Sequence, residues 1–183
     1  MLRGVDRIKA NFDAARASAA NEGRNFADLG ALASVIVRPK REEAEAHFYA
    51  MFQQTGVTAI VAKLEEAVKR RTKGQQSLAT FKAPDAQRQG WIKALLDGRL
   101  PKLEELRLER RLFAGITAWS PLDIFDAGSS AVYFVGDPEG IADNVKVYRD
   151  EAKLSALILS GSPFIDETET VSQLLLPRLN EIQ

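Results

Sequence analysis

The chain has 183 residues, enough for one domain with a real core, and its 45% hydrophobic and 27% charged residues are typical of a globular protein. Twenty-five basic side chains balance twenty-five acidic ones, so no global field draws the protein to nucleic acid. The absence of cysteine excludes disulfides, thiol catalysis and zinc–thiolate sites, and the single histidine excludes a multi-histidine metal site within one chain. The first residues lack the apolar core of a signal peptide and no apolar run spans a bilayer, so a cytoplasmic protein without membrane contact is expected.

Residues 4 to 22 read as an outer-layer helix, with Val5, Ile8, Phe12 and Ala15 on its apolar side and Gly23 as its stop. Leu29 to Val37 follows. Its β-branched centre, Ser34-Val35-Ile36-Val37, predicts a buried strand that Arg38-Pro39 ends. Residues 40 to 71 predict one or two helices, with Glu42, Glu43 and Glu45 near the positive end of the helix dipole and Gly56 as a divider. The basic run Lys69-Arg70-Arg71 with Lys73 reads as a solvated helix end, because no aromatic residues interleave it as in a nucleic-acid site. Residues 74 to 84 read as a loop exposing Phe81. Residues 86 to 96 predict a helix closed by Asp97-Gly98, and Pro101 opens another through about Arg111, rich in intrahelical Glu–Arg pairs.

Leu112 to Val135 has no clear period. Phe113, Ile116, Trp119, Leu122, Ile124, Phe125, Tyr133 and Phe134 make it too apolar for a linker, so it is expected to pack, as a lid over a strand-end cleft. Gly136-Asp137-Pro138 is a helix start: Asp137 caps free N–H groups and Pro138 has no N–H to lose. Ile141, Val145, Tyr148 and Ala152 recur at helical spacing. Ala156-Leu157-Ile158-Leu159 then predicts a strand covered on both faces, ended by Ser160-Gly161-Ser162-Pro163. A final helix carries Val171, Leu174, Leu175 and Ile182 on one side. Helix, strand, turn and helix form an α/β unit, and in such folds the loops after the strands' carboxyl ends carry the ligands.

Several pieces in this order resemble one family. Val135-Gly136, Pro138-Glu139, Ile141-Ala142-Asp143, Leu159-Ser160-Gly161, Pro163 and Leu175-Leu176-Pro177 match the carboxyl-terminal end of the luciferase-like flavin-dependent monooxygenases, in their alkanesulfonate monooxygenase branch. The strand text Val35-Ile36-Val37-Arg38 resembles the same family. The resemblance implies a mostly helical α/β chain, the carboxyl-terminal fragment of a TIM (β/α)8 barrel in one partial domain. Residues 40–134 correspond to the family's helical insertion and 135–183 to its last helix–strand–helix unit. Two adjacent parallel strands, residues 31–37 and 155–160, are expected, with the rest of the barrel supplied from outside by a homo-oligomer or a complementing chain.

The resemblance further implies reduced FMN delivered by a separate flavin reductase, and cleavage of alkanesulfonates or related sulfur compounds. A fragment is expected to be inactive alone; a non-catalytic remnant or interaction module is the alternative. Ser160, Gly161 and Ser162 are the candidate cofactor-binding residues, and Ser34, Arg38 and Phe164 the candidate substrate-binding ones. Two positions where the family has an arginine and a histidine facing the site hold Leu32 and Ser34. Two where it has a tyrosine and a histidine hold Ser162 and Phe164. For His47 a surface or packing role is expected rather than a catalytic one; Asp123 and Asp126 read as caps or turn residues, and Trp91 and Trp119 as packing anchors.

Overall fold

A computed structural model describes residues 3–25, 28–117, 121–126, 132–161 and 164–182, and Phe164 by its backbone alone. In chain order the elements are α1 (Val5–Asn21), β1 (Gly30–Val37), α2 (Arg41–Thr55), α3 (Val57–Arg71), α4 (Ala86–Leu96), α5 (Leu103–Leu106), β2 (Arg107–Glu109), β3 (Leu112–Ala114), β4 (Val132–Gly136), α6 (Pro138–Ala152), β5 (Ala156–Ser160), α7 (Phe164–Leu174) and α8 (Leu176–Asn180). The expected helices over 4–22, 40–71 and 86–96 are all present. Gly56 divides α2 from α3 with φ of 76°, a backbone state open to glycine at no steric cost. Asp85 caps α4 through the Arg88 N–H, and Asp137 caps α6 through the Gly140 N–H.

The strands form one sheet in the order β2-β3-β4-β1-β5. β1 runs parallel to both β4 and β5, whereas β2, β3 and β4 are antiparallel. The expected adjacency of residues 31–37 and 155–160 holds, with Leu32 opposite Ile158 and Ser34 opposite Ser160. Two expectations fail nearby. The helix from Pro101 lasts one turn, because Leu112, Phe113 and Ala114 are almost wholly buried as a strand and pair with β4. Surface Glu–Arg pairs worth about 0.3–0.5 kcal/mol each do not offset burial of a Leu and a Phe, worth about 1.5–3 kcal/mol apiece. The aperiodic stretch likewise contains β4, whose residues Val132 to Gly136 are all buried. A strand covered on both faces shows no alternation.

The sheet separates two cores. On one side Ala31, Ala33, Val35, Val37 and Phe134 meet α1, α6 and α7 through Ile8, Phe12, Ile141, Tyr148 and Val171. On the other, Ile36, Tyr133 and Val135 meet α2, α3 and α4 through Phe48, Phe52, Leu64, Trp91 and Ile92. Phe48 is the hub of the second core, with its ring 5.4–5.5 Å from those of Phe52, Phe113 and Tyr133. Phe81 is half-buried, not exposed, and meets Phe125 edge-on at 5.0 Å.

The aromatic-rich segment is core and not a lid, as far as its described residues go. Ile116, Leu122 and Ile124 join the α2–α4 side. Ala114 pairs with Val132, the first residue of β4, so the chain leaves β3 at the amino ends of the parallel strands, away from any strand-end cleft. A buried ion network pins it there. Arg3 reaches Asp123 at 2.6 Å, both side chains almost wholly buried, and Arg88 meets Asp126 at 2.9 Å.

One part of the sheet is bare. Of the helices of the second core, α2 lies over β4 and β1. Leu32 is 38% exposed and Ile158 66% exposed on that face. β5 ends the sheet order, so its outer edge has no partner strand among the described residues. The expectation that β5 is covered on both faces fails here: one face packs through Leu157 and Leu159, and the other is open.

A candidate site at the carboxyl ends of the parallel strands

β1 ends at Val37, and Arg38 extends beyond it, its backbone N–H donating to the Gly136 carbonyl at 3.2 Å. Its guanidinium grips Glu167, in the first turn of α7, with a fork: Nη1 donates to Oε2 at 3.0 Å and Nη2 to Oε1 at 2.5 Å. Nη1 also donates to the Val37 carbonyl at 2.7 Å. Glu167 is 1% exposed, so its carboxylate sits where an unpaired charge would be very costly. From α2, His47 places Nε2 3.1 Å from the same Oε1. Three elements thus converge on one buried carboxylate.

Below this cluster on the open face, the hydroxyls of Ser34 and Ser160 lie 3.2 Å apart. Ser34 is 8% exposed and bonds its neighbour on β5, which accounts for a polar residue inside an apolar strand. Leu32 and Ile158 form the next row down. From the strand ends the surface therefore runs from charged to hydroxylic to apolar. Gly161, buried just after β5, carries the chain past α7.

The neighbouring strand end is built differently. The Arg111 guanidinium lies on Gly136 and Gly140, where any Cβ would come within 2.9 Å and 2.4 Å of its nitrogens. Arg111 Nη1 stands 2.8 Å from Asp137 Oδ2 as a close ion pair without hydrogen-bond alignment. Burial opposes ionisation of Asp137, but the Gly140 N–H and the Arg111 charge together hold its carboxyl below the usual range. Burial, and then the Arg38 charge, push the His47 imidazole below its ordinary value against the opposing pull of Glu167.

Of the residues singled out from sequence, the structure brings together Ser34, Ser160, Gly161 and Arg38 at this end of the sheet. Phe164 opens α7, and Ser162 and Trp119 lie outside the described residues. Trp91 is the packing anchor expected of it, 1% exposed with its N–H donating to the Glu105 carbonyl. Sequence reasoning missed Glu167 and gave His47 a surface or packing role. The available signal was an arginine closing one strand and an acidic pair, Asp166-Glu167, opening the helix after the next. Among the described residues no cluster of His, Asp or Glu has the makings of a metal site.

A family model described as luciferase-like monooxygenase matches residues 1–152. The chain belongs to the luciferase-like monooxygenase family. The matched span runs from the amino terminus to the last residue of α6. Three solved structures share the fold beyond that point. A riboflavin lyase (RcaE) with modified FMN and its substrate riboflavin is 19% identical, with a TM-score of 0.62 over 98% of this chain and 37% of its own. A long-chain alkane monooxygenase (LadA) is 18% identical, with a TM-score of 0.61 over 98% of this chain and 35% of its own. DmoA from Hyphomicrobium sulfonivorans is 14% identical, with a TM-score of 0.62 over 99% of this chain and 36% of its own. This member of the luciferase-like family therefore spans little more than a third of the length of those proteins, and only part of their barrel is present.

The described residues fit one wall of a flavin site, not a whole one. At the strand end Ser160 presents a hydroxyl that is paired with Ser34. Arg38 is a cation there, and Glu167 already holds its fork. Nothing described stands opposite Leu32 and Ile158 to exclude water.

Proposed function

We propose that this chain is the carboxyl-terminal part of a flavin-dependent monooxygenase that takes reduced FMN from a flavin reductase and acts on alkanesulfonates or related sulfur compounds. One observation carries the reading: a polar cluster at the carboxyl ends of parallel strands stands directly above a bare apolar sheet face, as on the inner wall of an opened barrel. In the proposal Ser160, Gly161 and Ser162 contact the cofactor, and Ser34 and Phe164 line the substrate side. Arg38 supplies positive charge only in so far as Glu167 leaves it free. Cofactor chemistry of this class needs the protein to bind, orient and exclude water.

The open face of β5 supports a second element of the proposal. Further strands, from another copy or from a complementing chain, cover Leu32 and Ile158 and pair the free edge. Without them the isolated chain is inactive. Two substitutions favour the same outcome: Leu32 and Ser34 stand where the resembling pattern has charge and imidazole. Losing one preorganised donor costs on the order of 100-fold in rate, and several are missing together. The non-catalytic reading, an interaction module without a complete flavin pocket, rests on the same open face.

The test has two arms. Anaerobic titration with reduced FMN reads the pocket; a complete one binds at micromolar order, about 8 kcal/mol. Sulfite release from linear alkanesulfonates, with a reductase supplying reduced FMN, reads the chemistry. The expected result for the isolated chain is sulfite no higher than the reductase-only control. Release well above that control overturns the inactivity, and absence of binding even after the barrel is completed overturns the flavin reading.

A further inference from the structure

His47 is the chain's single histidine, and it stands at the carboxyl end of β1 with Nε2 3.1 Å from a carboxylate that is 1% exposed. Glu167 does not need it. The Arg38 fork already reaches both carboxylate oxygens, so the contact with His47 is surplus to satisfying the buried charge. The contact is a close approach without hydrogen-bond alignment, and it sets the carboxylate charge against Nε2. A carboxylate at Nε2 holds the proton on that nitrogen and leaves Nδ1 as the basic one. Among the described residues nothing bonds Nδ1, and the side chain is 40% exposed. Arg38 and Glu167 are the charged groups that face the imidazole from β1 and α7; on α2 itself Glu43, one turn earlier, is paired with Lys40.

The support behind this pair is rigid. Glu167 is held from β1 by Arg38, and Gly161 passes so close that an ideal Cβ there would lie 2.2 Å from the Glu167 Cβ. An imidazole with one nitrogen facing a buried carboxylate and the other open at a strand-end surface has the arrangement of a general acid–base group.

We propose that His47 is the proton-transfer residue of this strand-end site and that Glu167 is its positioning residue. His47 Nδ1 takes the proton of a hydroxyl or ring N–H on a molecule bound over Ser34 and Ser160 and later returns it. While the proton is held, the imidazolium charge is compensated by Glu167, and the bound molecule carries the matching negative charge. Burial first, and the Arg38 charge second, favour the neutral imidazole that can accept a proton. The proposal rests on the strand-end site of the flavin reading but names no cofactor contact.

Because the chain has one histidine, its imidazole gives one set of nuclear magnetic resonance signals. Long-range proton–nitrogen correlation at pH 7.5 is expected to show the Nε2–H form, with Nδ1 unprotonated. Diethyl pyrocarbonate is expected to acylate this single imidazole, and Glu167→Gln to slow the reaction by about 10-fold while the backbone amide spectrum is kept. A protonated Nδ1, or a tautomer mixture and an acylation rate unchanged in E167Q, overturns the proposal. If E167Q does not fold, the wild-type tautomer decides alone. The flavin reading is read separately, by adding reduced FMN without oxygen to the wild-type chain and to His47→Asn. Binding in both, with the imidazole signal of the wild-type shifted, supports both readings. No binding in either, with the Nε2–H form present, leaves His47 as assigned, and the flavin reading is then overturned only if binding is still absent once the barrel is completed. Binding that leaves the imidazole signal unmoved removes His47 from the flavin-facing site and overturns the proposal.

Discussion

Gly161 and Glu167 pack so closely that no side chain fits between them: an ideal Cβ at 161 would lie 2.2 Å from the Cβ of Glu167 and 3.3 Å from its backbone. The obstacle is the root of a buried, doubly anchored residue and cannot swing aside. Gly161→Ala is therefore expected to push the first turn of α7 off β1 and to destabilise the fold by about 1–3 kcal/mol, the usual range for overpacking. Thermal unfolding followed by circular dichroism checks this; an unchanged midpoint would show that α7 adjusts freely.

At the other end of the sheet, Arg3→Met leaves Asp123 without its guanidinium partner in a site where the carboxylate is 3% exposed. Breaking a buried pair from one side costs about 3–5 kcal/mol, far more than a surface pair contributes. Urea denaturation is expected to show the loss as a lower midpoint at unchanged slope. An effect below about 0.5 kcal/mol, the level of an ordinary surface substitution, would mean that the network does not pin the segment.

His47 makes stability depend on pH in a definite direction. Its folded-state value lies below the ordinary 6.5, through burial first and the Arg38 charge second. The unfolded chain therefore binds this proton more readily. The contribution is complete above about pH 6.5 and is lost as pH falls toward the folded value. Asp137, also lowered, acts in the same direction at more acid pH. Wild type is expected to lose more stability than His47→Asn between pH 7.5 and 5.5. Parallel losses in the two proteins would remove His47 from the account.

The open face predicts association. β5 presents an unpaired edge without a Lys or Pro to guard it, and Ile158 is 66% exposed beside Leu32 at 38%. Sedimentation velocity is expected to show concentration-dependent self-association of the isolated chain, and Ile158→Lys to shift it toward monomer with its helix content kept. A wild-type chain that stays monomeric at high micromolar concentration would contradict this.

What the sequence determined by itself was local. Helix spans followed from period and caps, as at Asp137, because a cap and its helix lie within four residues of each other. The two strands richest in β-branched and aliphatic residues, β1 and β5, were legible in the same way, whereas their parallel adjacency was implied by the family resemblance. Tertiary structure alone decided the rest. β3 and β4 were hidden, because a strand buried on both faces lacks alternation, and the helix after Pro101 gave way to β2 and β3 because pairing with β4 outweighed local preference. The candidate site was half legible. Ser34, Arg38, Ser160 and Gly161 sit at strand ends that sequence located, but Glu167 and His47 act through contacts 129 and 120 residues away in the chain or nearly so, and no local pattern encodes such a meeting. Three elements from distant parts of the sequence converge on one buried carboxylate only after the sheet has formed, because the sheet sets which strand ends are neighbours.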